Sequence, residues 1–191
     1  MFPQGVNIAL GLSYMLCTLL QIVGFGTPAW VVSDYNGEIF DSCGLLFCVS
    51  CRNGSGCETK TYLQTYQEYN TADGELVFAD QVRETLIASL SVATAIIASI
   101  LLLVNLCVKH QRPVLSLVAV LLTFISASLI WTIISSTLIP ILKEDTKTYR
   151  FPYALFLSAL GSFGAVFLAI IYLVRVIKVM SALSPSYQPL K

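Results

Sequence analysis

Four long stretches of this 191-residue chain carry no ionisable acid or base: residues 5–28, 85–108, 114–142 and 151–174 contain no Asp, Glu, Lys, Arg or His. A bilayer's hydrocarbon core of about 30 Å is crossed by roughly 20 helical residues, so each stretch is long enough to span it. None alternates in hydrophobicity as the roughly ten-residue strand of a membrane barrel would. Helices remain, because lipid offers the backbone no hydrogen-bond partner. The third stretch, at 1.5 Å per residue, is about 43 Å long and exceeds the core by roughly two turns. It is expected to tilt or project, with Pro140 bending its end. The first stretch lacks the basic start of a signal peptide and leads into Gly26-Thr27-Pro28-Ala29-Trp30, so it reads as a helix and not as a cleaved leader. Composition agrees: 56% of residues are hydrophobic and 12% charged, about half the charge a soluble domain carries.

The chain therefore reads as a single four-crossing unit. A large loop (29–84) follows the first crossing, a turn (109–113) the second, a short connection (143–150) the third and a tail (175–191) the fourth. An even number of crossings puts both termini on one side. Lys109, Arg112, Arg175 and Lys178 mark that side as cytoplasmic by the positive-inside rule, but Lys143, Lys147 and Arg150 stand on the other, so the rule decides little. Cysteines decide more. Cys43, Cys48, Cys51 and Cys57 form an even set within fifteen residues of the large loop, as oxidising compartments favour. Asn53-Gly54-Ser55 is a glycosylation sequon between them. Together they place the large loop outside, make Asn53 a glycosylation candidate and leave both termini cytoplasmic. A competing reading takes the same cysteines as zinc or iron–sulfur ligands, which requires a reducing, cytosolic loop; the sequon argues against it.

Within the loop, residues 30–35 and 38–41 flank Asn36-Gly37, a hairpin signal because both turn positions need positive φ. A second pair, 45–51 and 57–62, flanks Asn53-Gly54. Tyr62, Tyr66 and Tyr69 then fall on one face of an expected short helix. If 44–51 were one straight strand rising roughly 3.3 Å per residue, Cys48 and Cys51 could not pair with each other, nor Cys43 with either. One bridge to Cys57 is then easy, and a second requires the strand to break near Gly44 or Cys48.

The order of features, Trp30 past the first helix, then Gly44-Leu45-Leu46, then a cysteine pair, then Arg83 in Gln81-Val82-Arg83-Glu84 before the second helix, resembles the claudin superfamily. That superfamily includes the peripheral myelin and epithelial membrane proteins and has a W…GLW…C…C loop signature. The similar topology spans nearly the whole chain. The eight residues between Cys48 and Cys57 match the signature, so the resemblance implies a disulfide between those two; Cys43 and Cys51, outside the signature, are a candidate further pair. The signature's second tryptophan is Leu46 here, its spacing to Cys48 is one residue short, and Cys43 and Cys51 are additional, which marks a divergent member. The tail lacks the terminal Tyr-Val that many claudins present to PDZ scaffolds, so such scaffolds are not expected as partners. Tetraspanins, which carry their large loop between helices three and four, do not fit, since that connection here has eight residues.

Chemistry narrows the function. His110, the single histidine, lies in the five-residue turn with no cysteine or carboxylate beside it, so neither an enzyme, a cofactor nor a metal site is expected. The zero net charge offers nothing to nucleic acid. A pump or transporter needs intramembrane ionisable groups, and the four stretches have none. Asn7, Gln21 and Asn105 are expected to hydrogen-bond between helices or sit at interfaces, as are close approaches at Gly161 with Ala165 and Ser91 with Ala95. Cys107, near the end of the second helix, is a palmitoylation candidate or a buried inert thiol. The large loop holds nine acidic against three basic residues, a net charge of −6. The resemblance then implies plasma-membrane junctions, where loops of the same or related four-crossing proteins meet in cis and trans, giving adhesion, a barrier, or a passage whose carboxylates favour cations. Glu58, beside the second signature cysteine, leads the candidates, with Asp34, Glu38 and Asp41. Membrane organisation of the peripheral-myelin kind and service as an auxiliary channel subunit are the alternatives.

Overall fold

The computed structural model describes residues 4–35, 39–52, 56–61, 64, 72–107, 112–143, 148–149 and 152–183. In chain order the elements are α1 (Gln4–Gly26), β1 (Val31–Tyr35), β2 (Ile39–Cys43), β3 (Phe47–Arg52), β4 (Gly56–Thr61), α2 (Ala72–Cys107), α3 (Pro113–Lys143), β5 (Thr148–Tyr149) and α4 (Tyr153–Leu183). Each helix contains a stretch long and apolar enough to cross a membrane: Ile8–Gly26, Val82–Leu106, Pro113–Ile139 and Tyr153–Lys178. The protein is thus a multi-pass membrane protein carrying a small antiparallel sheet with two disulfides. Two helices are longer than the charge-free stretches. α2 begins at Ala72 and not at 85, and α4 runs past Arg175 and Lys178 to Leu183. The reason is that an absence of charge reports the length immersed in lipid, whereas Glu, Lys and Arg are good helix formers outside it. α3 continues through Pro140 to Lys143.

α1 packs beside α2 and α4, and α3 beside the same two, so the helices form a ring whose closest pairs are α2 with α3 and α1 with α4. Lipid supplies no hydrophobic force between helices, so close backbone approach and interhelical hydrogen bonds must hold the ring. Glycine supplies the approach. A Cβ at Gly161 would lie 2.6 Å from the Cys17 carbonyl oxygen and 3.0 Å from Gln21 Cγ; one at Gly24 would collide with Ser158 Oγ and lie 2.7 Å from the Ala154 carbonyl. One glycine from each helix therefore sets the α1–α4 separation.

Hydroxyls supply the hydrogen bonds, in a belt midway along the spans. Tyr14 bonds Thr123, the Thr18 and Ser99 hydroxyls share a bond of 2.7 Å, and Ser91 and Ser126 each donate 2.8 Å to the other's backbone carbonyl. Gln21 is buried at the α1–α4 contact. Asn105 ties the α2–α3 turn: its Nδ2 donates to Ser116 Oγ at 2.6 Å and its Oδ1 accepts from the Arg112 amide at 2.8 Å. Pro113 follows at the first helical position, where its missing N–H costs nothing. An apolar cluster around Ala98, Leu102, Ala119, Val120, Ala169 and Tyr172 fills the end nearer the termini. A second, around Ala88, Ile130, Ile133, Ile134 and Leu155, fills the other and continues into the sheet through Trp30, Val32 and Leu45.

The strands lie in the order β4-β3-β2-β1-β5, all antiparallel. β1 to β4 form in the large loop as expected. β5 was not expected: the short connection before α4 adds two residues to the far edge, with Ser33 opposite Tyr149 and Asp34 opposite Thr148.

Replacing Gly161 with Leu should separate α1 from α4 and destabilise the bundle by about 1–3 kcal/mol, the usual cost of overpacking. Thermal unfolding in detergent would register it. Gly26→Ala, where an added Cβ meets nothing within 4 Å, should leave the transition unmoved.

Candidate functional site

The sheet stands on the bundle through a junction made by the residues that carry the family resemblance. Pro28 ends α1, because proline cannot continue it, and Thr27 Oγ1 donates back to the Val23 carbonyl at 2.8 Å. Trp30 then folds beneath the sheet at 2% exposure. Its indole N–H donates 2.7 Å to the Gly24 carbonyl and its amide donates 3.0 Å to the Cys43 carbonyl. From the other side the turn between β2 and β3 wedges in. Leu45 is buried, and its carbonyl accepts 2.7 Å from Thr85 of α2. Gly44 sits against α1's end, where a Cβ would lie 2.5 Å from the Thr27 carbonyl oxygen and 2.7 Å from Pro28 Cα. The Ala154 amide of α4 donates 3.3 Å to the Ala29 carbonyl, and Ser42 bonds the Pro28 carbonyl. Trp30, Gly44 and Leu45 thus converge, whereas Leu46, in place of the signature tryptophan, is 43% exposed at the tip of the turn. Arg83 is exposed two residues before Thr85.

The disulfides differ from the pairing implied by the resemblance. Cys43 bonds Cys48 and Cys51 bonds Cys57; Cys48 does not bond Cys57, nor Cys43 Cys51. The register explains why. β2 ends at Cys43, the strand breaks at Gly44, and the chain reverses so that Cys43 stands opposite Cys48. Cys57 stands opposite Cys51, while Cys48 stands opposite Lys60. Cys48 and Cys51 are three positions apart on β3, and successive side chains alternate faces, so the two bridges lie on opposite faces of the sheet. A Cys48–Cys57 bond would have to pass through it. With all four sulfurs paired, no thiolate remains for zinc or an iron–sulfur cluster.

Register also sorts the acidic candidates. Glu58, Ser50, Asp41 and Ser33 form one row across β4, β3, β2 and β1, placing Asp41 and Glu58 two strands apart, about 9–10 Å. Asp34 belongs to the neighbouring row, with Phe40, Cys51 and Cys57. Val32 and Ser42, on the face of Cys51–Cys57, are buried; Glu58 lies on the other face, 74% exposed, with Lys60 Nζ 3.9 Å away. An exposed pair at that distance is weak. β4 is one edge of the sheet, with β5 at the other. Glu38, Asn53, Tyr62, Tyr66 and Tyr69 lie outside the described residues, and Cys107 is described only as the last residue of α2.

Sequence reasoning did not find Thr85 and Ser42, which hold the junction; a hydroxyl beside an apolar run gives no local sign of the carbonyl it will meet. No family model matches the chain, and no curated protein matches it.

Cleavage of the unreduced protein after Leu46 or Phe47, after Val49 between Cys48 and Cys51, and after Arg52 should yield two separate pairs of fragments, one joined through Cys43–Cys48 and the other through Cys51–Cys57. A peptide linking Cys48 to Cys57 would contradict the register described above.

Proposed function

We propose that the chain acts at contacts between cells as a divergent claudin-like protein of the plasma membrane, with its sheet outside, both termini in the cytoplasm, and a cation-favouring passage between cells as its task. The observation that carries this reading is the mount. Trp30, Gly44 and Leu45, the residues of the resemblance, meet where the sheet is seated on the end of the ring away from the termini, and a sheet seated there holds Glu58 clear of the membrane. A structural tryptophan alone would fit many proteins. Its combination with the exposed carboxylate of Glu58 on a disulfide-bonded sheet fits one that presents charge to a shared aqueous space.

The chemistry asked of the site is electrostatic and not catalytic. Carboxylates from several copies, facing one narrow passage, attract cations and repel anions. Salt screens such a field within about 8 Å, so only a passage of that width would feel it. Asp41, in Glu58's row, adds to the same field, whereas Asp34 sits in another row. The membrane-organising and channel-subunit readings share the fold but leave the Glu58 row without a task.

Replacing Glu58 with Lys should lower the sodium-to-chloride permeability ratio of an epithelial layer expressing the protein, with surface expression unchanged. An unaltered ratio, with the protein at contacts, would remove the pore reading. Orientation is tested separately: a cysteine introduced at Gln111 should stay unlabelled by an impermeant thiol reagent on intact cells and react once they are opened.

A further inference from the structure

All eleven acidic residues of the chain lie on the sheet side of the four spans, within 34–84 and at 144–145. The opposite side carries Lys109, Arg112, Arg175, Lys178 and Lys191 and no acidic side chain. The zero net charge therefore conceals a chain polarised across the membrane. No carboxylate side chain of the sheet side can reach the cations of the other, because the charge-free stretches 5–28, 85–108, 114–142 and 151–174 lie between them.

Three of these cations stand within about one helical turn of the termini-side ends of the α3 and α4 spans. Arg112 is exposed directly before Pro113, where the α3 span opens, and its amide is fixed by the buried Asn105. Lys178 is exposed and closes the α4 span. Arg175, one turn deeper, holds its guanidinium 5.9 Å over the ring of Tyr172, which is itself 5% exposed in the core cluster. A buried aromatic thus supports an arginine at the depth where its stem lies in hydrocarbon and its head reaches the boundary. A bilayer matched to the four charge-free stretches puts charges at this level in its phosphate layer.

We infer that this rim binds the headgroups of anionic phospholipids in the leaflet on the side of the termini. The arginines supply forked donors suited to phosphate oxygens, and Lys178 a point charge. A soluble anion is the weaker candidate, because Arg175 lies within the span. In the cell the relevant leaflet is the cytoplasmic one, a clause that rests on the orientation proposed above; the lipid preference itself does not.

The test uses the full chain reconstituted in phosphatidylcholine bilayers, with spin-labelled phosphatidylserine or phosphatidylcholine as the probe, and reads the fraction of probe immobilised at the protein. Phosphatidylserine should be preferred by about fivefold for each cation engaged. R112Q/R175Q/K178Q should bring the preference close to parity, whereas K143Q/K147Q, at the other boundary beside Glu144 and Asp145, should leave it intact. Roughly 1 M salt should weaken it in the unaltered protein, a measurement that decides the matter even if the triple variant fails to fold. Equal immobilisation of both lipids, a preference indifferent to salt, or one lost in K143Q/K147Q would overturn the inference. Labelling that placed the termini outside, with the lipid preference retained, would move the rim to the outer leaflet and remove only the orientation.

Discussion

Lipid gives a polypeptide no hydrogen-bond partner and no hydrophobic reason to gather its helices, and the rest of this architecture answers to that constraint. The backbone satisfies itself in four helices. They must then be drawn together by other means, and the chain uses two: the reciprocal approach of Gly24 and Gly161 between α1 and α4, and the hydroxyl belt linking Tyr14 to Thr123, Thr18 to Ser99 and Ser91 to Ser126. No member of the belt is ionisable near neutral pH, so it holds the ring without offering a charged path across it.

A bundle held this way can seat a separate module at its end. The apolar cluster at the sheet end of the bundle passes through Trp30 and Leu45 into the sheet. Backbone carbonyls at Gly24, Pro28, Ala29, Cys43 and Leu45, which would otherwise be left without partners near lipid, are all taken up at this junction. The Cys43–Cys48 bridge closes the turn that forms the wedge, so the covalent link lies where mechanical coupling to the bundle is tightest. The second bridge stiffens the outer hairpin, on whose last strand Glu58 sits.

Charge follows the same division. The sheet side is acidic and the termini side is cationic, and neither can neutralise the other through the spans.

The sequence by itself determined the number of crossings, the helical nature of each, and the strand character of the large loop. Absence of charge over more than twenty residues and turn signals such as Asn36-Gly37 are local properties that need no partner to be read. The pairing of the cysteines, the row shared by Glu58 and Asp41, the fifth strand at Thr148–Tyr149 and the hydroxyl contacts of Thr85 and Ser42 were decided only by tertiary structure. Register is a relation between strands, and a slip of one residue exchanges the faces of every side chain. The family resemblance implied Cys48 and Cys57 as partners, but a break at Gly44 turned Cys48 toward Cys43 and left Cys57 to Cys51.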